Sequence, residues 1–227
     1  MSTLKEDRVV EYYNNIAKQY DNDRFANTYG RFIDRQERRA LDSLNVAPEG
    51  TLDLPCGTGR LTDYASEGAD ASTEMLKIAQ DQHPGKHFTL TDACKTPYKD
   101  NSFETVLSFH FLMHLDQETI TKVLHEMHRI IAPGGRWICD IPSLKRRKLT
   151  NRKPELWHGN TSLDIKLMQE LCQGLFEIRQ VKGIMLAPIH RLPKFMRNPM
   201  CTIDYALANT RLLREYSSYL IFELVKR

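Results

Sequence analysis

The residues best suited to binding chemistry stand together in Leu52-Asp53-Leu54-Pro55-Cys56-Gly57-Thr58-Gly59, an apolar strand running into a turn with two glycines. Glycine tolerates positive φ, and without a Cβ its amide can face a bound molecule at close range. Ligands of open α/β sheets sit at the carboxyl ends of strands, which is where this turn falls, with Asp53 just before it. The spacing argues against the two common nucleotide loops. A dinucleotide fingerprint needs a third glycine, where Thr62 stands, and a phosphate loop needs Gly-Lys-Ser/Thr, which is absent. A second group is His110 and His114, in Phe109-His110-Phe111-Leu112-Met113-His114. Histidine titrates near neutral pH, so either can serve as a base where a nucleophile must lose a proton. His110 is the better base candidate, and packing or a hydrogen bond competes as the reading of His114. The five cysteines, Cys56, Cys94, Cys139, Cys172 and Cys201, show no metal-ligand or redox spacing. Neither a disulfide framework nor a metal site is expected, and the setting is read as a reduced cytoplasm.

Positioning such groups requires strands that alternate with helices. Apolar spacing predicts a helix over residues 4–20 and a charged amphipathic helix over 31–44, ended by Asn45 and Pro48-Glu49-Gly50. Strands are expected at Thr51–Pro55, His87–Thr91, Phe103–Phe109, Arg136–Ile141, Phe176–Met185 and Tyr219–Val225, with helices at Met75–Gln82, Asp116–Ile131 and Leu163–Gln173. This alternation predicts an α/β fold, a parallel sheet wrapped by helices on both faces. At 227 residues and 41% apolar content, the chain is one domain with a real core. No apolar run approaches the roughly 20 residues that a membrane span needs, and the charged start lacks a secretory signal. A net charge of +3 is too small to imply nucleic acid.

Several blocks together resemble the class I S-adenosylmethionine-dependent methyltransferases, of the small-molecule type. Leu52–Thr62 looks like the family's first motif, and Gly68-Ala69-Asp70 through Met75-Leu76 resembles the end of the second strand and its helix. Thr91-Asp92-Ala93, with Asn101–Ser108, resembles the third and fourth strand motifs; His114-Leu115 and Leu124–Gly135 follow in the family's order. Tyr12–Asp21 looks like its opening helix, so the resemblance covers residues 9–141 well.

It implies a three-layer Rossmann-like fold, a seven-stranded, mostly parallel sheet whose last strand is antiparallel. The expected cofactor is S-adenosyl-L-methionine, leaving as S-adenosyl-L-homocysteine. Pro55, Cys56, Gly57 and Gly59 would hold its methionine part, with Asp53 near the ammonium and Tyr20 near the carboxylate. Asp70 would take the ribose hydroxyls, Asp92 and Ala93 the adenine, and Met75 and Phe109 would pack on its faces. His110 and His114 fall where the family places its substrate. Pro55 replaces a glycine and lacks an amide proton. Only ten residues separate Gly59 from Asp70, against about 20 in Rossmann-like sites, so Asp70 is expected to be held loosely.

The division expected is one domain over 1–227: an arm over 1–45, a core over 46–185, an insertion over 186–218 and the last strand over 219–227. The insertion is read as a substrate lid, with a homodimer contact as the alternative. Lys145-Arg146-Arg147-Lys148 and Arg152-Lys153 form a basic run, read first as a solvated loop. The function expected is methylation of O, N or C on a small, partly hydrophobic molecule. An RNA methyltransferase, or a cofactor-binding protein without catalysis, are the alternatives.

Overall fold

Val106 and Leu107, Trp137 and Ile138, and Ile221 and Phe222 are sequence neighbours that fall in different apolar cores. Successive strand residues point to opposite faces, so this sheet is apolar on both sides and needs cover on both. A computed structural model, which describes residues 3–151 and 161–227, supplies that cover with helices. The strands are β1 (Thr51–Asp53), β2 (Glu67–Asp70), β3 (His87–Leu90), β4 (Phe103–Ser108), β5 (Ile131–Pro142), β6 (Phe176–Ile184) and β7 (Tyr219–Lys226), in the order β3-β2-β1-β4-β5-β7-β6. The first five strands run parallel, and β7 is antiparallel to both β5 and β6. This is the sheet that the resemblance implied.

The helices are α1 (Thr3–Arg24), α2 (Thr28–Ser43), α3 (Thr73–Gln82), α4 (Gln117–Ile130), α5 (Leu144–Thr150), α6 (Ile165–Leu171) and α7 (Lys194–Ala208). In α4, Ile120, Val123, Leu124, Met127 and Ile130 recur at helical spacing and pack with Val106, Trp137 and Phe222 on one face. On the other face, Ala40, Leu41 and Leu44 from the α2 end and Tyr205 of α7 cover Leu107, Ile138 and Ile221.

Four segments differ from the expectation. The stretch after Gly59 is a single 3-10 turn, Thr62–Tyr64, leading straight into a four-residue β2. It is short but pinned, because the Lys86 ammonium donates to the carbonyls of Thr62 and Ala65. Strand β5 begins at Ile131, earlier than the glycines suggested; a register shift between Phe103 and Thr105 accommodates residues 132–135. The basic run is a helix, not a loop: Ser143 caps α5 by accepting from the Arg146 amide at 3.2 Å, while Arg152 and Lys153 lie outside the described residues. Within the insertion, α7 runs through an internal proline, Pro199, which hid it from propensity reasoning.

Helix α7 is joined to α2 through a buried polar bridge. The Gln36 amide donates to Asp204 Oδ2 at 2.7 Å, and its Oε1 accepts the Met185 amide at 2.6 Å. Asp204 also accepts the amides of Leu186 (3.2 Å) and Ala187 (2.5 Å). Gln36→Leu keeps roughly the same volume but orphans the Met185 amide and takes from Asp204 Oδ2 one of its two donors. The orphaned amide costs about 1–3 kcal/mol, so urea titration should show a midpoint lowered accordingly with an unchanged slope.

Candidate functional site

A cavity of about 610 Å³ opens at the carboxyl ends of β1, β2 and β4. Its floor comes from the turn after β1, its middle from the end of β2 and the start of α3, and its far wall from residues 109–122 and α1. Every residue expected at the site lines it except Gly59: Tyr20, Asp53, Pro55, Cys56, Gly57, Asp70, Met75, Asp92, Ala93, Phe109, His110 and His114. Gly59 has φ +89°, and a Cβ there would lie 2.9 Å from the His83 ring. It therefore lets the turn seat on α3, and its carbonyl lies 2.9 Å from His83 Nε2.

The two carboxylates at the strand tips are held differently. Asp70 is gripped by backbone, its Oδ2 accepting the Gly57 amide and its Oδ1 the Ser72 amide, both at 2.8 Å. The expectation of a loosely held Asp70 is therefore corrected. The glycine turn folds back onto the carboxylate, with Gly57 at φ +56°, and two amide bonds do what a longer strand would do. Burial raises the Asp70 carboxyl above its usual range, against the pull of those amides. Asp53 is fully buried and accepts from the Thr62 hydroxyl at 2.8 Å. Burial pushes it up to about 7, with Thr62 and the more distant Arg60 pulling the other way. Such a carboxylate is poised for a cation. Asp92 is exposed at the rim and accepts the Cys94 amide at 2.8 Å.

Helix α1 closes the cavity from above. Asp21 Oδ1 accepts from the Thr58 hydroxyl at 2.7 Å, Asn14 Oδ1 accepts from the Ser72 hydroxyl at 2.7 Å, and the Tyr13 hydroxyl lies 3.1 Å from His114 Nε2. Val9, Val10, Tyr13, Tyr20 and Phe25 make its inner surface apolar and aromatic. Residues 186–218 contribute no described side chain to this lining; they pack behind α2.

His110 sits in the left-handed region at φ +54°, its amide donating to Asp140 Oδ1 at 2.6 Å. Its ring is paired on both sides: Nε2 lies 2.7 Å from Glu37 Oε1, and Nδ1 lies 3.7 Å from Asp140 Oδ2. Glu37 also holds Arg60 at 2.6 Å, and Arg60 reaches Asp34 at 2.7 Å with its guanidinium 4.1 Å over the Phe25 ring. Burial alone would lower His110, but Glu37 and then Asp140 raise it overall. Burial likewise opposes ionisation of Glu37, yet Arg60 and His110 hold it down at about 2. Burial lifts Asp140 to about 6 against the pull of His110. His110 is thus held between two carboxylates. Both carboxylates fix the ring at the cavity wall and favour its protonated form.

Glu37, His110 and Asp140 also bring one metal-ligating atom each within 4.8 Å. The two ring nitrogens face different carboxylates and Arg60 sits against Glu37, so the set is held by ion-pair contacts. Sequence reasoning did not single out Glu37, Arg60, Asp140 or Thr62. Two of them carried a signal: Asp140 is a lone charge inside the apolar strand Trp137–Ile141, and Glu37 falls on the apolar face of α2 between Ile33 and Leu41.

A model described as a methyltransferase domain matches residues 52–139. Demethylmenaquinone methyltransferase of Thermus thermophilus is 34% identical over 140 residues, 56% of this chain and 62% of that protein. The enzyme of the same description from Alkalihalophilus pseudofirmus is 30% identical over 159 residues, 61% of this chain and 64% of that one. The chain thus spans about three fifths of the length of these relatives. Among solved structures, a SAM-dependent methyltransferase from Thermotoga maritima superposes with a TM-score of 0.70 at 19% identity, over 96% of this chain and 99% of that one. Geranyl diphosphate C-methyltransferase from Streptomyces coelicolor, solved with S-adenosyl-L-homocysteine, does so at 0.65 and 13% identity, over 99% and 98%.

Removing the charge of Glu37 leaves Arg60 and His110 buried without their main partner. Glu37→Gln is expected to lower unfolding free energy on the order of 3–5 kcal/mol. Because the folded His110 pKa is raised, the stabilisation from this pair is complete below about pH 6.5 and fades as pH rises through the raised value. Stability measured against pH should show that decline in the native protein and a flattened one in Glu37→Gln.

Proposed function

We propose that this chain, which belongs to the class I S-adenosylmethionine-dependent methyltransferases, transfers a methyl group to a small, partly hydrophobic molecule in the cytoplasm. The observation that carries the reading is the continuity of one cavity: carboxylates and amides at the tips of β1 and β2 lead directly into an apolar, aromatic half under α1. Asp53 tests the fit of the donor, since a buried carboxylate raised to about 7 and facing a cavity suits the donor's ammonium. Asp70 would hold the ribose, Asp92 and Ala93 the adenine, Tyr20 the carboxylate, and Met75 and Phe109 the flat faces. When bound, S-adenosylmethionine supplies an electrophilic methyl carbon for in-line attack.

The chain's own part is positioning and electrostatics. Holding the acceptor in line with the sulfonium can contribute at most on the order of 7–11 kcal/mol. Tyr13, Phe25 and Phe111 would bracket a flat ring, and α1 excludes water over it. His110, fixed by Glu37 and Asp140, would as an imidazolium stabilise an acceptor that attacks as an anion, such as a phenolate or enolate. His114, bonded to Tyr13, would tie the arm to the substrate wall. Relatives named for demethylmenaquinone agree with an acceptor of this chemistry. The RNA reading gains nothing from the basic run, because Lys145 pairs with Glu215 and Arg146 donates to the Tyr216 carbonyl.

The reading is tested by following methyl transfer from labelled donor to phenolic and quinol acceptors beside simple amines. Transfer to the ring acceptors is expected. In His110→Gln the acid limb of kcat/KM should move to higher pH, and the rate at pH 7 should drop by about 10²-fold, the scale on which removing one charge-stabilising donor acts. Transfer to amines alone, or an unaltered pH profile in the variant, would remove this assignment.

A further inference from the structure

The side of the molecule behind α2, away from the cavity lining, carries an apolar face of the kind that soluble surfaces seldom leave open. In α7, Cys201, Asp204, Tyr205 and Ala208 are buried, while Phe195, Ile203 and Leu207 turn outward along the opposite side. Phe195 is 81% exposed, Ile203 52% and Leu207 45%; Leu212, just beyond the helix, is 84% exposed. Residues 195, 199, 203 and 207 recur at the four-residue spacing of one helix face, so these side chains form a stripe and not scattered single positions.

A ladder of arginines borders that stripe. Arg31, Arg35 and Arg39 of α2 are exposed at the same four-residue spacing. Two of them touch α7 on its flank: Arg35 donates to Asn198 Oδ1 at 2.9 Å and Arg39 to Thr202 Oγ1 at 3.0 Å. Asn198 and Thr202 stand next in sequence to Pro199 and Ile203, so guanidinium groups and apolar side chains share one side of the helix pair. Acidic counterparts are scarce. Between residues 186 and 218 the carboxylates are Asp204, buried against Gln36, and Glu215, paired with Lys145, whereas Arg191, Lys194, Arg197, Arg211 and Arg214 lie in the same stretch.

We propose that this face docks the protein in the plane of an anionic lipid bilayer, with the α7 stripe dipping among the acyl chains and the α2 arginines meeting lipid phosphates. The combination is that of an interfacial helix: apolar side chains reaching outward, basic residues beside them, and no carboxylate on the α7 stripe itself to repel the headgroups. Charge selects this occupant over the others. Two copies meeting about a twofold axis would set like-charged arginine ladders against each other, and a nucleic acid would have no use for protruding Phe195, Ile203 and Leu212. No described helix is long and apolar enough to cross a membrane, so contact in the plane is what this face offers. The inference does not depend on the methyl-transfer reading, because docking is measured without donor or acceptor.

The test is sedimentation of the full chain with vesicles of phosphatidylcholine alone and of equimolar phosphatidylcholine and phosphatidylglycerol. Binding is expected to the anionic vesicles only and should weaken steeply with added salt. Ile203→Glu and the pair Arg35→Gln with Arg39→Gln should each lower partitioning by about tenfold or more. Both variants should keep S-adenosyl-L-homocysteine binding and the unfolding midpoint, which shows that they fold. Failure of the native chain to sediment with anionic vesicles would overturn the proposal, as would unchanged partitioning in both variants. A dimer in light scattering that Ile203→Glu splits would assign the face to a second copy instead.

Discussion

The structure turns on two carboxylates that the fold buries at the ends of adjacent parallel strands. Removing a carboxylate from water is costly unless something replaces the lost hydration, and the two sites meet that requirement in different ways. For Asp70 the replacement comes from the chain itself, through the amides of Gly57 and Ser72. That pair of bonds fixes the glycine turn against β2 and explains how so short a connection still delivers Asp70 to the cavity. For Asp53 the replacement is incomplete: one hydroxyl from Thr62, and a carboxyl lifted to about 7. The fold thus leaves a partly unmet demand for positive charge at the closed end of a large cavity, and the proposed donor carries that charge in its ammonium.

Helix α2 links this site to the rest of the molecule. One stripe, Ala40 and Leu41, packs on the sheet; Glu37 reaches inward to Arg60 and His110; Gln36 fastens α7; and Arg31, Arg35 and Arg39 face outward. A single helix therefore anchors ion pairs at the cavity wall and shapes the outer face. The cluster of Asp34, Glu37, Arg60, His110 and Asp140 is a costly thing to bury, and opposite charges within it offset part of the desolvation cost. Its return is an Arg60 and a His110 ring fixed in place at the cavity wall.

Much of this was legible before any coordinates. The glycine turn, the strand alternation and the ordered motif blocks gave the sheet, and all the expected site residues but Gly59 fall in the cavity lining, because those features repeat local rules of spacing and turn chemistry. What escaped depends on contacts distant in sequence. Glu37 and His110 lie 73 positions apart and meet only when α2 crosses the end of β4, so no local pattern announces the pair. Helix α7 was hidden by Pro199, and the hold on Asp70 came from backbone amides, which no residue type reveals.

The central claim is that Asp53 waits, largely protonated below neutrality, for the cation of the donor. Calorimetric titration with S-adenosyl-L-homocysteine in buffers of differing ionisation enthalpy reads this directly. Binding should release protons below pH 7, affinity should climb with pH until about 7 and then level, and Asp53→Asn should bind more weakly with neither effect. Uptake with the same proton count in Asp53→Asn, or no uptake at millimolar ligand, would contradict the account.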